Sequence, residues 1–494
     1  MDRQRKKKIE KARVIITNIF MALCVVGIVF VLMLVAMGYS VNENGIQQSG
    51  LVQISSNPKG AIVEIDGEIQ FDHTNFNKML RSGNHNVKIT KPGYDAWEKT
   101  INVDSGYLTR VEWARLFPTD NNVASIINLS DIRLAEFSDD HKRLFVIEHG
   151  SPVAQYYDIQ NEKIKTHKIS LTDALSDKTE NVSAGEIHFI AWNEASSKIL
   201  ITWTHDQKTT WHLIDLENAQ KSINLTTKFG MTFSDIRILN DSASKLWVLE
   251  NGRIHIIDTE NQTITGVIAS NVDRFANNKD VISYVGIDND DDSHCKLFVF
   301  KDGEKGATEI TSLESKQSSI TLAMGSYWNE SWLAYSVNNR IAVLSGTYPS
   351  YDKPSNNSLN KIVERDLEYA PNLVSTNRLG RIVAFTGASN LTSIDIETRN
   401  YYDTTTEAET TKLNWLDSYL IWETSNNKII VRDFDGNNRR EILSVDNALP
   451  VNITENNRWL YYFDIIPSEA EADGAQNDVD APITLYSLKR KKLE

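Results

Sequence analysis

A short pattern recurs along the back two-thirds of the chain, and it limits the fold more than any other feature. An apolar residue and an Asp, then usually another apolar residue, lead into an acidic and polar turn. The pattern reads Tyr157-Asp158-Ile159-Gln160-Asn161, Ile214-Asp215-Leu216-Glu217-Asn218 and Ile257-Asp258-Thr259-Glu260-Asn261. It returns as Ile394-Asp395-Ile396-Glu397-Thr398 and, more loosely, as Arg432-Asp433-Phe434-Asp435-Gly436. Repetition at a spacing of a few tens of residues means that one supersecondary unit is copied, and units too small to bury their own faces must stack.

Eight such units can be marked from about residue 121 onward. Each opens with an apolar strand that ends in a polar turn, at 135–138, 190–193, 237–240, 273–277, 327–329, 373–377, 413–417 and 451–454. A second strand follows each, at 143–147, 198–203, 245–249, 280–285, 331–337, 381–386, 419–423 and 458–465. The units are spaced about 36 to 55 residues apart, as four-stranded blades with variable loops would be. This order of polar turn, apolar strand and Asp-turn resembles that of Trp-Asp-type and TolB-type β-propellers, although no blade carries a clean signature dipeptide. Eight blades are preferred, and seven are the alternative. The last unit stops at a third strand over 483–488, followed by a basic tail. Residues 123–129 are placed to supply its missing outer strand and close the ring, which removes edges that would pair with other chains. The propeller is assigned to 121–494.

The N-terminal end is of another kind. Val14 to Gly38 is 25 residues without a charge. As a helix it reaches roughly 37 Å, more than a hydrocarbon core of ~30 Å. A cleaved signal peptide has an apolar stretch of only about 7–15 residues, and Ala36-Met37-Gly38 offers only a faint cleavage-like site. A lipoprotein signal is absent, since Leu23 stands before Cys24 where a small residue is needed. Residues 1–13 carry seven Lys and Arg against Asp2 and Glu10, and no further base follows until Lys59. That asymmetry predicts a basic cytoplasmic tail (1–13), a transmembrane helix (14–39), a linker (40–50) and everything beyond on the outside of a plasma membrane.

The whole chain of 494 residues has a net charge of −14, so the part beyond residue 13 stands at −19. A body that acidic argues against nucleic acid as a partner, whose binding needs clustered Lys and Arg. The two cysteines, Cys24 and Cys295, lie too far apart in kind and place to pair, so the fold must hold by packing.

Between anchor and propeller, residues 51–117 alternate with period two, which argues a small antiparallel sandwich. Here Pro58-Lys59-Gly60-Ala61, Val63, Ile65, Asp66-Gly67, Ser82-Gly83, Val87, Ile89 and Lys91-Pro92-Gly93-Tyr94 stand in order. The stretch resembles the PEGA family over about 65 residues, with one departure: the family's central Thr-Pro is Thr74-Asn75 here. The resemblance implies a surface or envelope module with no catalytic set. Gly60, Gly67, Gly83 and Gly93 are expected to serve tight turns, where positive φ is needed.

Chemistry is sparse. Asp288, Asp290 and Asp292 lie in an Asp-rich loop, Asp288-Asn289-Asp290-Asp291-Asp292, whose oxygen density suits calcium. Ser293 stands where a Gly is expected, and Val299 where a bidentate Glu would be, so a solvated hairpin loop competes with a metal site. The segment 468–481 has five acidic residues and reads as low complexity. Both insertions join second to third strands and fall on one face of a propeller, the loop-rich face where binding sites gather. Most of the Trp residues fall in blade strands and are expected to pack cores, with sugar stacking as the minority role. No His-Glu-x-x-His, Gly-x-Ser-x-Gly or phosphate-cradling Gly loop occurs.

The expectation is a mainly β, membrane-anchored protein that binds or scaffolds and is not an enzyme, with no cofactor. Its partner would be a protein or a cell-envelope polymer on the propeller face. Two alternatives stand beside it: an envelope-glycan hydrolase or lyase with carboxylates in the propeller channel, and a TolB-like accessory of envelope assembly.

Overall fold

The uncharged run folds as one helix, α1 (Asp2–Ala36), which also takes in the basic segment expected as a tail. Lys and Arg are good helix formers, and no Gly or Pro interrupts residues 2–13. Arg13–Leu34 is a 22-residue stretch of mean hydropathy 2.8, long and apolar enough to cross a membrane, and its side chains are exposed. The computed structural model describes residues 2–36, 39–42, 45–120, 122–175, 185–287, 294–313, 319–354, 359–407, 413–445, 449–466 and 484–493. The chain divides into two compact units, Met1–Asp120 and Asn121–Glu494.

After α1 the first unit is all strand: β1 (Tyr39–Asn42), β2 (Gly45–Asn57), β3 (Ile62–Ile65), β4 (Glu68–His73), β5 (Phe76–Arg81), β6 (Gly83–Thr90), β7 (Trp97–Val103) and β8 (Leu108–Arg115). One sheet has β2 paired with β1, β5 and β8; the other has the order β4-β3-β6-β7. Their facing sides bury Val52, Ile54, Val63, Ile65, Val87, Ile89 and Trp97, the period-two positions of each strand. Two expectations are corrected. The sandwich is not wholly antiparallel, because β8 runs parallel to β2 from Leu51↔Leu108 onward. Residues 40–50, expected as a spacer, hold β1 and the start of β2, paired from Tyr39↔Gln48 to Asn42↔Gly45. The core half of β2 carries its polar half along as a template, so pairing occurs without an apolar pattern to announce it.

From residue 123 the architecture is eight four-stranded antiparallel sheets in succession, the blades of a propeller. The first is Ile132–Phe137, Arg143–Glu148, Val153–Asp158 and Lys165–Ser170. The inner strands of the next seven are Glu186–Trp192, Asp235–Ile238, Val272–Asn278, Ile320–Tyr327, Leu373–Thr376, Asn414–Trp415 and Asn452–Ile453. The recurring Asp closes the turn between third and fourth strands. Asp215 Oδ1 accepts from the backbone of Glu217 and Asn218 at 3.0 and 2.9 Å, and Asp258 Oδ1 does the same for Glu260 and Asn261. A short carboxylate can satisfy backbone donors that a tight turn leaves unpaired, which is why the residue repeats. The polar residue after the inner strand works alike: Asn193 Oδ1 accepts from Ser197 and Lys198, and Asn240 Oδ1 from Ser244 and Lys245.

Apolar clusters join neighbouring blades, as between Phe145 and Trp192 or between Leu344 and Leu297. Buried tryptophans add directed bonds across the seams. Trp247 Nε1 donates to the Lys279 carbonyl at 3.0 Å, and Trp332 Nε1 to the Gly380 carbonyl at 2.7 Å. Trp328 is the exception to core packing, 82% exposed at a turn with φ of 52°.

The eighth blade is completed by β9 (Val123–Ser130), which pairs antiparallel with Leu485–Lys492. One cluster then holds Leu129, Tyr461, Phe463 and Leu488 against Leu144 and Tyr157 of the first blade, so the last sheet packs on the first. The basic tail expected after 488 is in fact part of this strand. Arg490 stacks on Trp459 at 4.0 Å and donates to the Glu162 carbonyl, and Lys489 pairs with Asp464. The aromatic face and neighbouring carboxylate hold bases that the sequence presents as a loose end.

Candidate functional site

In the small unit the four expected glycines all have positive φ: Gly60 at 75°, Gly67 at 85°, Gly83 at 134° and Gly93 at 82°. Asp66 and Gly67 make the two-residue turn between β3 and β4, both in the left-handed region that such hairpins need. The Asp66 carboxylate meets His85 Nδ1 at 2.6 Å and accepts from the Asn86 amide at 2.9 Å. The His85 bond holds that carboxyl below the usual carboxylate range. These contacts stiffen a turn.

Thr74 plays a larger part. It is buried, and its hydroxyl lies 2.6 Å from Ser56 Oγ and accepts from the Ala61 amide at 2.9 Å. Asn75 Oδ1 accepts from the Ser56 amide, so Thr74-Asn75 bonds the end of β2 to the start of the facing sheet. The departure from the family's Thr-Pro thus keeps the hydroxyl and adds an acceptor.

In the propeller the concave centre is lined by first strands of the blades. Four successive inner strands open on an acid followed closely by a base: Asp131 and Arg133, Glu186 and His188, Asp235 and Arg237, Asp273 and Arg274. Two of these are ion pairs, Asp235–Arg237 at 3.0 Å and Asp273–Arg274 at 2.6 Å, and His188 Nε2 lies 3.5 Å from the Glu186 carboxylate. The bases also bridge blades. Arg133 donates to the Gly185 carbonyl of the second, and Arg274 to the Ile320 carbonyl of the fifth. Burial raises the Asp235 carboxyl above its ordinary range, and the Arg237 charge opposes that rise. This ladder is missed by reading each motif alone. The acids stand seven, seven, five and four residues before Ser138, Asn193, Asn240 and Asn277, so the pairs recur near the start of successive inner strands without a fixed register that a motif search would find.

A cavity of about 450 Å³ lies along the inner strands of blades three to six. Its polar lining includes Asp235, Arg237, Arg274, Asn277, Asn372 and Ser375. The Ser375 hydroxyl is buried without a hydrogen-bond partner among the described residues. A second cavity, about 650 Å³, lies between blades four and five at the other end of the strands. There Glu304 accepts from Ser350 Oγ and the Tyr351 amide, which commits its carboxylate to holding a loop.

Asp288, Asp290 and Asp292 lie outside the described residues, as does 468–481. Among the described residues no group of three or more His, Cys, Asp or Glu is placed to hold a metal. The strands that these segments join, Val281–Ile287 to Cys295–Lys301 and Trp459–Ile466 to Leu485–Lys492, meet at the end where the acid–base ladder sits.

Residues 49–114 match the PEGA domain family. The small unit is a PEGA domain. Its glycine turns and the Thr74 seam are therefore features of a PEGA domain with Asn at the central position. No curated protein matches the chain. Among solved structures, one similar chain is PorZ, a surface component of the type-IX secretion system of Porphyromonas gingivalis, at 11% identity and a TM-score of 0.39. The alignment covers 70% of this chain and 43% of PorZ, so the chain spans less than half of that protein. AztD from Citrobacter koseri is similar at 12% identity and a TM-score of 0.37, over 79% of this chain and 96% of that one. An oligogalacturonate lyase from Vibrio parahaemolyticus is similar at 10% identity and a TM-score of 0.40, over 75% and 98%. These likenesses concern the fold and carry nothing about activity.

Proposed function

We propose that the chain is a single-span membrane protein that holds a PEGA domain and an eight-bladed propeller outside the cytoplasm as a binding or scaffolding platform. The observation that carries this reading is α1: a predominantly apolar stretch, Arg13–Leu34, with exposed side chains, preceded by a strongly basic end. Lipid is the cover that such a helix requires, and the basic end favours the cytoplasmic side. PEGA domains belong outside the cell, in accord with that direction. The propeller then offers a protein or envelope polymer the face where second-to-third-strand loops and blade connections gather.

We read the role as binding rather than catalysis. Carboxylate pairs that cleave glycosides stand about 5–10 Å apart with one free to give and one to take a proton. Here three of the four acids of the ladder lie within 3.5 Å of their own base. The test is protease accessibility. Protease added to intact cells should digest the propeller and leave a membrane-bound fragment that resists carbonate extraction. Protection until lysis, or release by carbonate, would overturn the reading.

A further inference from the structure

We propose that the central cavity of the propeller binds a small hydroxylated carboxylate, of the class of the sugar acids, with its carboxylate seated on Arg237 and Arg274. The chain is strongly acidic, yet two guanidinium groups line this cavity, each paired through Nε with an acid of its own strand, Asp235 and Asp273, and each with a terminal nitrogen to spare. Arg237 contacts Asp235 through Nε alone, so among the described residues its two terminal nitrogens have no partner. Arg274 uses Nε for Asp273 and one terminal nitrogen for the Ile320 carbonyl. That bond fixes the guanidinium on the seam between blades four and five, with one terminal nitrogen left. A carboxylate matches the spacing of such donors and gains charge-assisted bonds from both.

The rest of the lining decides what the carboxylate is attached to. Asp235 lies in the same cavity and repels a ligand with a second negative charge beside it, but accepts from a ligand hydroxyl. Asn372 offers an amide, Asn277 keeps an amide oxygen while its Nδ2 donates to the Ile238 carbonyl, and the buried Ser375 hydroxyl lacks the partner that a buried polar group requires. A volume of about 450 Å³ lies within the range of small-molecule sites. One anionic end with hydroxyls along its body answers every one of these groups. Inorganic phosphate answers only the arginines. The inference does not depend on the membrane topology: an unliganded channel in a surface-exposed propeller would leave the preceding proposal intact.

Titration calorimetry of the full-length protein in detergent tests it, with glucuronate, glucose and inorganic phosphate as probes. Saturable binding of glucuronate is expected in the millimolar range or tighter. Arg237→Gln and Arg274→Gln should each weaken it roughly tenfold or more, as losing a charge-assisted bond does. Lys279→Gln, in the other cavity, should leave it unchanged. Ser375→Ala removes a hydroxyl without a protein partner, so it should fold as the parent does, and it should weaken glucuronate alone. Should either arginine variant melt early, Ser375→Ala carries the test. Absence of saturable glucuronate binding would overturn the proposal, as would glucose or phosphate binding as tightly as glucuronate. Unchanged affinity in the folded arginine variants or in Ser375→Ala would do the same.

Discussion

Arg381 holds Asp395 in a two-pronged pair, Nε to Oδ1 at 3.0 Å and Nη2 to Oδ2 at 2.8 Å, with both side chains 2% exposed. Its third nitrogen meets Glu397 at 2.9 Å, and its plane lies 5.8 Å from the ring centres of Tyr327 and Tyr419. Those rings belong to the blades on either side. Burial alone would lower the guanidinium's pKa, but the Asp395 carboxylate raises it overall, so the charge is firmly held. Arg381→Met would strand a buried carboxylate and should cost on the order of 3–5 kcal/mol. The double variant Arg381→Met/Asp395→Leu removes the stranded charge together with the turn bonds that Asp395 accepts from Glu397 and Thr398, so it should recover only part of that loss. Thermal unfolding of the three proteins measures both, and an Arg381→Met protein that melts with its parent would contradict the assignment.

The Thr74 hydroxyl is the analogous pin in the PEGA domain. Thr74→Val keeps the shape and removes the bonds to Ser56 and Ala61. The buried Ala61 amide then lacks a partner, while Ser56 Oγ keeps its bond to the Pro58 carbonyl, and about 1–3 kcal/mol should be lost. Hydrogen exchange at the Ala61 amide reads this directly, since the amide would exchange faster in the variant while the propeller amides stay as they were.

His212 gives the propeller an acid-sensitive point. Its ring is fully buried, with Nε2 2.8 Å from Thr210 Oγ1, and burial lowers its pKa to about 4. In the unfolded chain the same group titrates near 6.5. Between those values the unfolded state binds a proton that the folded state refuses, so stability falls as pH drops from about 6.5 toward 4. The loss is on the order of 3 kcal/mol at about 1.4 kcal/mol per pH unit. His212→Gln should flatten the melting temperature across that window, apart from the slope of the other groups. A parent-like slope in the variant would place the acid sensitivity elsewhere.

Closure of the ring by β9 predicts a different kind of damage. Leu129 is buried between the eighth and first blades, so Leu129→Ala should cost about 2–5 kcal/mol. Deleting 123–130 removes the outer partner of Leu485–Lys492, which keeps only Trp459–Ile466, and leaves a long unpaired edge. Light scattering of the deletion protein should show association that rises with concentration, whereas Leu129→Ala should remain dispersed.

The parts of the fold legible in the sequence are those in which one residue performs one local job. Asp215 and Asp258 close turns, Asn193 and Asn240 brace them, and second strands such as Lys198–His205 are buried along most of their length. Outer strands such as Tyr401–Thr405 alternate exposed and half-buried, so no apolar period marks them. The β1–β2 pairing is a local hairpin hidden by its mostly polar residues, and the basic end of the last strand is hidden because its outer partner, Val123–Ser130, lies far away in the chain. The channel is harder still. Asp235-Ile236-Arg237 is an ordinary strand opening by itself, and only the recurrence of such pairs near the start of successive inner strands gives it meaning.

The β9 closure also sets a timetable for manufacture. Residues 123–130 leave the ribosome hundreds of residues before the strand at 485–492 that they complete. At about 5–20 residues per second, the early strand must wait on the order of tens of seconds with its ladder groups unmatched. Seven sheets can assemble from neighbours as they emerge, but the eighth cannot. Whatever shields that waiting segment during synthesis is as much a requirement of this architecture as the packing that finally seals it.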